Sequence, residues 1–270
     1  MRYKFIKQLS FTILCSGSSI AFAESIVVQS TTSTKNSGLY DYILPKVESD
    51  TGITVNVVAV GTGQAIKNAQ RCDGDVLLVH AKSSEEKFVQ NGFGVKRSDL
   101  MYNDFVIVGP VSDPAGVNGS NDVAMALKKI AAKEAIFASR GDDSGTHKAE
   151  IRLWKGSNID PTTASGKWYR ETGSGMGATL NTAVGMGAYA MTDRATWTKF
   201  GNKSDFQIHV QGDDRLFNQY GVILVNPEKC PSVNVNAGQQ FIDWLLSDKG
   251  QDAIASYQVN GNQLFFPNAR

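Results

Sequence analysis

The chain has 270 residues, 41% of them apolar and 20% charged, with a formal net charge of +1. This is the balance of an ordinary globular protein of one large or two small domains. It holds no basic excess for gripping nucleic acid or an anionic membrane surface.

The first residues read as a targeting segment. Arg2, Lys4 and Lys7 form a basic start, residues 11–20 a modest apolar core, and Ala21-Phe22-Ala23 a small-x-small cleavage pattern. Residues 1–23 are expected to be a signal peptide cut after Ala23, its core being too short to span a bilayer. Cys15 follows Leu14, where a lipoprotein signal wants a small residue, so no lipid anchor is expected. The mature protein is expected in a periplasm. It is slightly acidic, because the leader takes basic residues away and no acidic ones. An anion would therefore have to be held by local donors. Cys72 and Cys230 remain after cleavage, either as a disulfide or as two buried free thiols.

Residues 25–29 read as a short strand, followed by the hydroxyl run Ser30, Thr31, Thr32, Ser33 and Thr34. Such runs are ordinarily solvated loops or caps. This one lies beyond the C-terminal end of a strand and before a helix, where open α/β sheets bind ligands. Ser37 is the expected N-cap of a helix carrying Leu39, Ile43 and Val47, limited by Pro45 and stopped by Gly52. Residues 53–60 form a β-branched strand ending in Gly61-Thr62-Gly63. That turn is no dinucleotide fingerprint, since Ile66 stands where the third glycine belongs. With a further helix and a strand at 75–81, the opening reads β-α-β-α-β, the mark of a parallel sheet.

A strand is expected at 105–109, a turn at 113–116, and a helix at 121–133 with Val123, Leu127 and Ile130 on one face. Residues 135–138 lead as a strand into Ser139-Arg140-Gly141-Asp142-Asp143-Ser144-Gly145-Thr146-His147, and an amphipathic run at 149–154 leads out. A helix that starts there offers unpaired N–H groups and a positive dipole end. Ser144 and Thr146 add hydroxyls, Gly145 lets backbone approach closely, and Arg140 adds a guanidinium. Together they make a seat for a tetrahedral anion. Asp142 is expected to orient Arg140 and partly neutralise it. Further on come a helix through 183, strands at 189–191, 206–210 and 220–225, and two closing helices, one with Phe241, Trp244 and Leu245, the other with Ala253, Ile254 and Tyr257. Two α/β halves with chain crossings near Phe105 and Asn218 fit this order.

Other chemistry is less well supported. Ser144, His147 and Asp143 supply a nucleophile, a base and a carboxylate for a Ser-dependent hydrolase. They crowd one turn, however, and the G-x-S-x-G elbow is missing, with Asp142 in place of a glycine. His80, His147 and His209 lack metal-ligand spacing, so no cation site is expected. Trp154, Trp168, Trp197 and Trp244 are expected in core or interlobe packing. A fully ionised oxyanion wants only donors, whereas monohydrogen phosphate also wants an acceptor.

Several strings resemble the periplasmic tungstate-binding proteins of ABC importers, in the type II solute-binding fold. They are TTST from Thr31, SGLY from Ser37, VGTG from Val60, DVLLVHA from Asp75, MYNDFVIVGP from Met101, SRGDDSGTH from Ser139, MTDRATW from Met191 and LFNQYGVILVNP from Leu216. The resemblance implies a two-lobed α/β fold, each lobe a mixed, mostly parallel sheet flanked by helices. Lobe 1 would comprise 24–105 plus 218–270, and lobe 2 106–217. It implies tungstate held between the lobes by Thr31, Thr32, Ser33, Thr62, Arg140, Ser144, Gly145 and Thr146. It also implies a monomer without cofactor or enzymatic activity, whose partner is an ABC permease with its ATPase. Phosphate-binding proteins of this fold share the Arg-x-Asp-x-Ser-Gly-Thr pattern, and molybdate matches tungstate in size and charge, so both remain alternatives.

Overall fold

The structure is a computed structural model that describes residues 24–269; the expected signal peptide and its cleavage site lie outside the described residues. β1 (Ser25–Thr31), β2 (Thr54–Val60) and β3 (Val76–Val79) run parallel, with β1 in the middle. β3, Val-Leu-Leu-Val, is buried throughout, as a strand covered on both faces must be. The intervening helices are α1 (Thr32–Ser37), α2 (Leu39–Thr51) and α3 (Thr62–Gln70). α4 (Lys82–Gln90) then leads to β4 (Gly94–Pro110), one strand of 17 residues.

The rest of the middle segment is α5 (Val123–Ala132), β5 (Phe137–Ser139), α6 (Gly145–Gly156), β6 (Tyr169–Glu171), α7 (Met176–Met186), β7 (Tyr189–Asp193), α8 (Arg194–Lys199) and β8 (Phe206–Val210). β9 (Phe217–Val225), α9 (Val235–Leu246) and α10 (Asp248–Ala255) return to the first half. β5 pairs in parallel with β6 and β7. β4 pairs antiparallel with β9 along its first half and with β7 and β8 along its second. The path β2-β1-β3-β9-β4-β7-β5-β6 therefore runs unbroken through both halves.

The side chains pack into separate cores. One joins residues from Ile26 to Met101 with others from Tyr220 to Phe265, together with Ala195 of α8. The others draw on the segment from Phe105 to Leu216. The expected two-lobed α/β fold is the one observed, with β4 and β9 as the strands that cross between lobes. Trp244 lies in the first core, Trp154 and Trp197 lie in the others, and Trp168 packs against the same side as Trp154.

Some local expectations change. The hydroxyl run is not a loop, because Thr31 ends β1 and caps α1. Ser37 is the last residue of α1, where its Oγ donates to Thr34 O at 2.6 Å, and Gly38 at φ +80° makes the junction with α2. Pro45 sits inside α2 without ending it, since the carbonyl it leaves free belongs to exposed Asp41 and can face water. Gly52 does stop the helix, with φ +73°. Tyr257 lies beyond α10. Cys72 and Cys230 are joined by a disulfide with Cα atoms 5.2 Å apart.

Candidate oxyanion site

Three connections meet where the lobes touch. At the end of β1, Thr31 Oγ1 accepts from Thr34 N at 3.3 Å and lies 2.7 Å from Thr34 Oγ1 and 3.1 Å from Ser33 Oγ. At the end of β2, Gly61 caps α3 with no side-chain bond, so Thr62 stands at an open helix start. At the end of β5, Arg140 precedes a loop in which Gly141 and Asp143 take left-handed backbone (φ +59° and +57°) and turn the chain into α6. Ser144 caps α6, its Oγ accepting from His147 N at 3.2 Å. A capping hydroxyl that accepts an N–H still has its own proton to give.

The contact across the cleft is direct. Gly145 N donates to Thr62 Oγ1 at 2.8 Å, which leaves the Thr62 proton free. A Cβ at Gly145 would lie 2.9 Å from both His80 Cε1 and Thr62 Oγ1, so only glycine lets the lobes meet this closely here. Thr62, Arg140 and Thr146 are at most 3% exposed. The hydroxyls of Thr32 and Thr146 are buried and have no protein partner. All eight residues expected at the site are thus at this junction. Thr31 and Ser33 are tied into the network around α1 and the Ser144 hydroxyl serves Asp142, while Thr32, Thr62 and Thr146 retain protons to donate. Ser30, the neighbour of this group, is structural, with its Oγ between Tyr40 Oη at 2.5 Å and Leu78 O at 2.8 Å.

Arg140 supplies the buried positive charge. Its Nη2 and Nε lie 2.6 Å and 3.2 Å from Asp142 Oδ2, and Ser144 N donates to Asp142 Oδ1 at 3.2 Å. Burial pushes the Asp142 carboxyl up, but the hydrogen bonds from Ser144 and the charge of Arg140 outweigh it and hold the group below the usual carboxylate range. Asp142 is therefore ionised and occupied.

One contributor escaped the sequence reading. His80 directly follows β3 and is buried, with Nε2 3.0 Å from Ser33 Oγ and Nδ1 3.1 Å from Asn218 Oδ1. Burial pushes its pKa down to about 4. It stands just past the C-terminal end of a strand, as Thr32 and Thr62 do, and that position was its available signal. Outside the sealed site lies a cleft of about 490 Å³ between the lobes, bordered by His80 and Gly145 and carrying Lys82, Lys148 and Arg152 against Glu86.

The hydrolase arrangement does not form. The His147 ring accepts from Asp143 N at 3.1 Å, and only its backbone reaches Ser144. Among the described residues, no group of three or more His, Cys, Asp or Glu is placed to hold a metal ion, and no helix is long and apolar enough to cross a membrane.

Residues 17–249 match a family described as a PBP superfamily domain. The TupA tungstate-binding protein of Peptoclostridium acidaminophilum is 47% identical, covering 91% of this chain and 86% of that protein. The solved TupA of Desulfovibrio alaskensis G20 is 47% identical, with a TM-score of 0.78 over 92% of this chain and 100% of that one. The solved tungstate ABC transporter protein of Geobacter sulfurreducens is also 47% identical, with a TM-score of 0.80 over 87% of this chain and 99% of that one. The chain belongs to the PBP superfamily and, within it, to the family of the TupA tungstate-binding proteins.

Proposed function

We propose that this protein captures tungstate in the cleft between its lobes and delivers it to an ABC permease driven by an ATPase. The carrying observation is the buried junction itself, where Thr32 and Thr146 hold unpartnered hydroxyls beside a buried Arg140. A dianion stripped of water needs many oriented donors and little competing acceptance. Thr32, Thr62 and Thr146 give hydroxyl protons, and Ser144 helps hold Asp142 in place. The starts of α3 and α6 add N–H groups, and Arg140 adds a planar fork. Thr31 and Ser33 hold the donor wall in place. We assign lobe 1 to 24–105 plus 218–270 and lobe 2 to 106–217, so that donors from both close on the anion.

The same reading makes the protein a monomeric binding protein rather than an enzyme, with no catalytic group posed against the ligand. It places the mature chain in the periplasm after cleavage behind Ala23. The ABC context is supported by the Geobacter relative, and the ion by the TupA relatives. Molybdate and phosphate are the competing ions. Asp142 weighs against phosphate, because both of its oxygens already accept from Arg140 and Ser144.

Calorimetric titration of the anion-stripped mature protein with tungstate, molybdate, sulfate and phosphate tests the assignment. Tightest binding of tungstate is expected. A preference for phosphate would overturn it.

A further inference from the structure

His80 lies between the two lobes. Its Nδ1 meets Asn218 Oδ1 on β9, and Asn218 Nδ2 donates to Asn103 Oδ1 on β4 at 2.7 Å, so both strands that cross between the lobes feed this ring. The ring stacks on Tyr220 with centroids 4.8 Å apart. Its other edge lies against Gly145 of the opposite lobe. Asn218 Oδ1 can only accept, so His80 Nδ1 carries a proton and donates it. A neutral imidazole has one N–H, which makes Nε2 an acceptor. Ser33, 3.0 Å away, then donates to Nε2 and turns its lone pairs, not its proton, toward its remaining neighbours.

A fully ionised oxyanion offers nothing that such lone pairs can use. We propose that His80 is a positioning residue for the bound anion: a dianion entering the cleft draws a proton from solvent onto His80 Nε2, which then donates to Ser33 Oγ and turns the Ser33 hydroxyl toward the anion. One proton leaves a solvent hydronium or buffer acid, whose bond to it breaks, and one N–H bond forms on His80; no other covalent bond of the protein changes. The proposal rests on the oxyanion reading above and adds a named proton acceptor to it.

The surrounding charges set the balance. Burial keeps His80 neutral, the Asn218 bond favours the protonated ring, and the Arg140 charge opposes it. Arg140 is itself partly offset by Asp142. Phe105 and Tyr220 contribute uncharged faces. Lys82 and Glu86 from α4, and Lys148 and Arg152 from α6, border the same cleft as the ring. A dianion beside Arg140 cancels the charge that opposes protonation, and it attracts the imidazolium directly. A group whose pKa is raised by a ligand makes that ligand bind more tightly below the raised pKa.

The test uses the full mature protein with sodium tungstate. The chain has three histidines, so the imidazole nitrogens can be followed one ring at a time by 15N NMR. Without tungstate, His80 should show a protonated Nδ1 and a bare Nε2; at saturation both should be protonated. Calorimetry in buffers of different ionisation heat should show proton uptake. Affinity should rise as pH falls from 8 to 6, by at most about tenfold per unit for one linked proton. In His80→Gln, which keeps a neutral link to Ser33, the pH dependence assigned to His80 should vanish while tungstate still binds. Ser33→Ala should weaken binding and leave the ring with a smaller shift. A His80 ring that stays neutral in saturated protein overturns the proposal, as does a pH dependence unchanged in His80→Gln, which would move the proton to another group such as buried Glu150. Failure of tungstate to bind at all would overturn the oxyanion reading instead.

Discussion

A buried hydroxyl without a partner costs free energy until something accepts its proton. Thr32 and Thr146 are in that position, while the neighbouring Thr31 and Ser144 cap helices. Thr32→Val and Thr146→Val should therefore leave resistance to denaturant unchanged or slightly raised, yet weaken tungstate binding several-fold in calorimetry. Thr31→Val should do the reverse in part, lowering stability by about 0.5–2 kcal/mol through loss of the α1 cap. Arg140→Gln removes the buried charge, and binding should weaken by about 1.5–3 kcal/mol, the range for a hydrogen bond to a charged group. Unchanged affinity would show that the guanidinium does not touch the anion. The hydroxyl run was legible because it follows a strand end, and Arg140 with Thr146 because they fall in a strand–turn–helix passage rich in donors. His80 was not, because a single histidine in an apolar string carries no pattern of its own. Its role comes from Asn218 and Ser33, residues far from it along the chain.

At the scale of elements, α6 carries the proposed anion seat at its start and a buried carboxyl a turn later. Glu150 accepts from Tyr169 Oη at 2.8 Å, Ser139 Oγ at 2.9 Å and Trp154 Nε1 at 3.2 Å, with no cation among these partners. Burial pushes its pKa up to about 7, and the three donors only partly offset this. Between its unfolded value near 4.5 and about 7, the folded protein holds a proton that the unfolded chain releases. This group's contribution to stability accordingly falls as pH rises through that window and levels off above it. Glu150→Gln abolishes the effect, so its stability relative to wild type should rise between pH 5 and 8, by on the order of 1–3 kcal/mol. Denaturant titrations at both pH values would read it; a difference that does not change with pH would argue against a protonated Glu150.

The apolar strands β1, β2 and β3 were visible as runs of branched residues, and β5 as part of the short apolar run 135–138. Residues 94–104 of β4 were not, for they carry Lys96, Arg97, Asp99 and Asp104. Their strand form comes from pairing with β9 and from the Arg97–Glu85 ion pair, whose Nε–Oε2 distance is 2.7 Å. α4 was hidden for the same reason, with Phe88 and Glu85 as its buried residues. Local pattern registers burial by apolar neighbours, and it passes over polar chain that is buried by pairing.

For the molecule as a whole, the disulfide ties the turn after α3 to the segment after β9 across a sequence separation of 158 residues. Cross-linking so long a loop restrains the unfolded chain, and its removal should cost about 2–5 kcal/mol. Cys72→Ser with Cys230→Ser, compared with wild type in urea, would measure it, and equal midpoints would rule the contribution out. The path of β9 has another effect. It lies between β3 and β4, so the first lobe cannot complete its sheet until residues 217–225 have joined it. The second lobe is drawn from the uninterrupted segment between Phe105 and Leu216. Pairings between distant residues form slowly, because the intervening chain must first be gathered in. Assembly is thus ordered in time: the Arg140 wall is ready while the threonine wall still waits for the last fifth of the chain, and a half-made protein presents one side of the trap and cannot shut it.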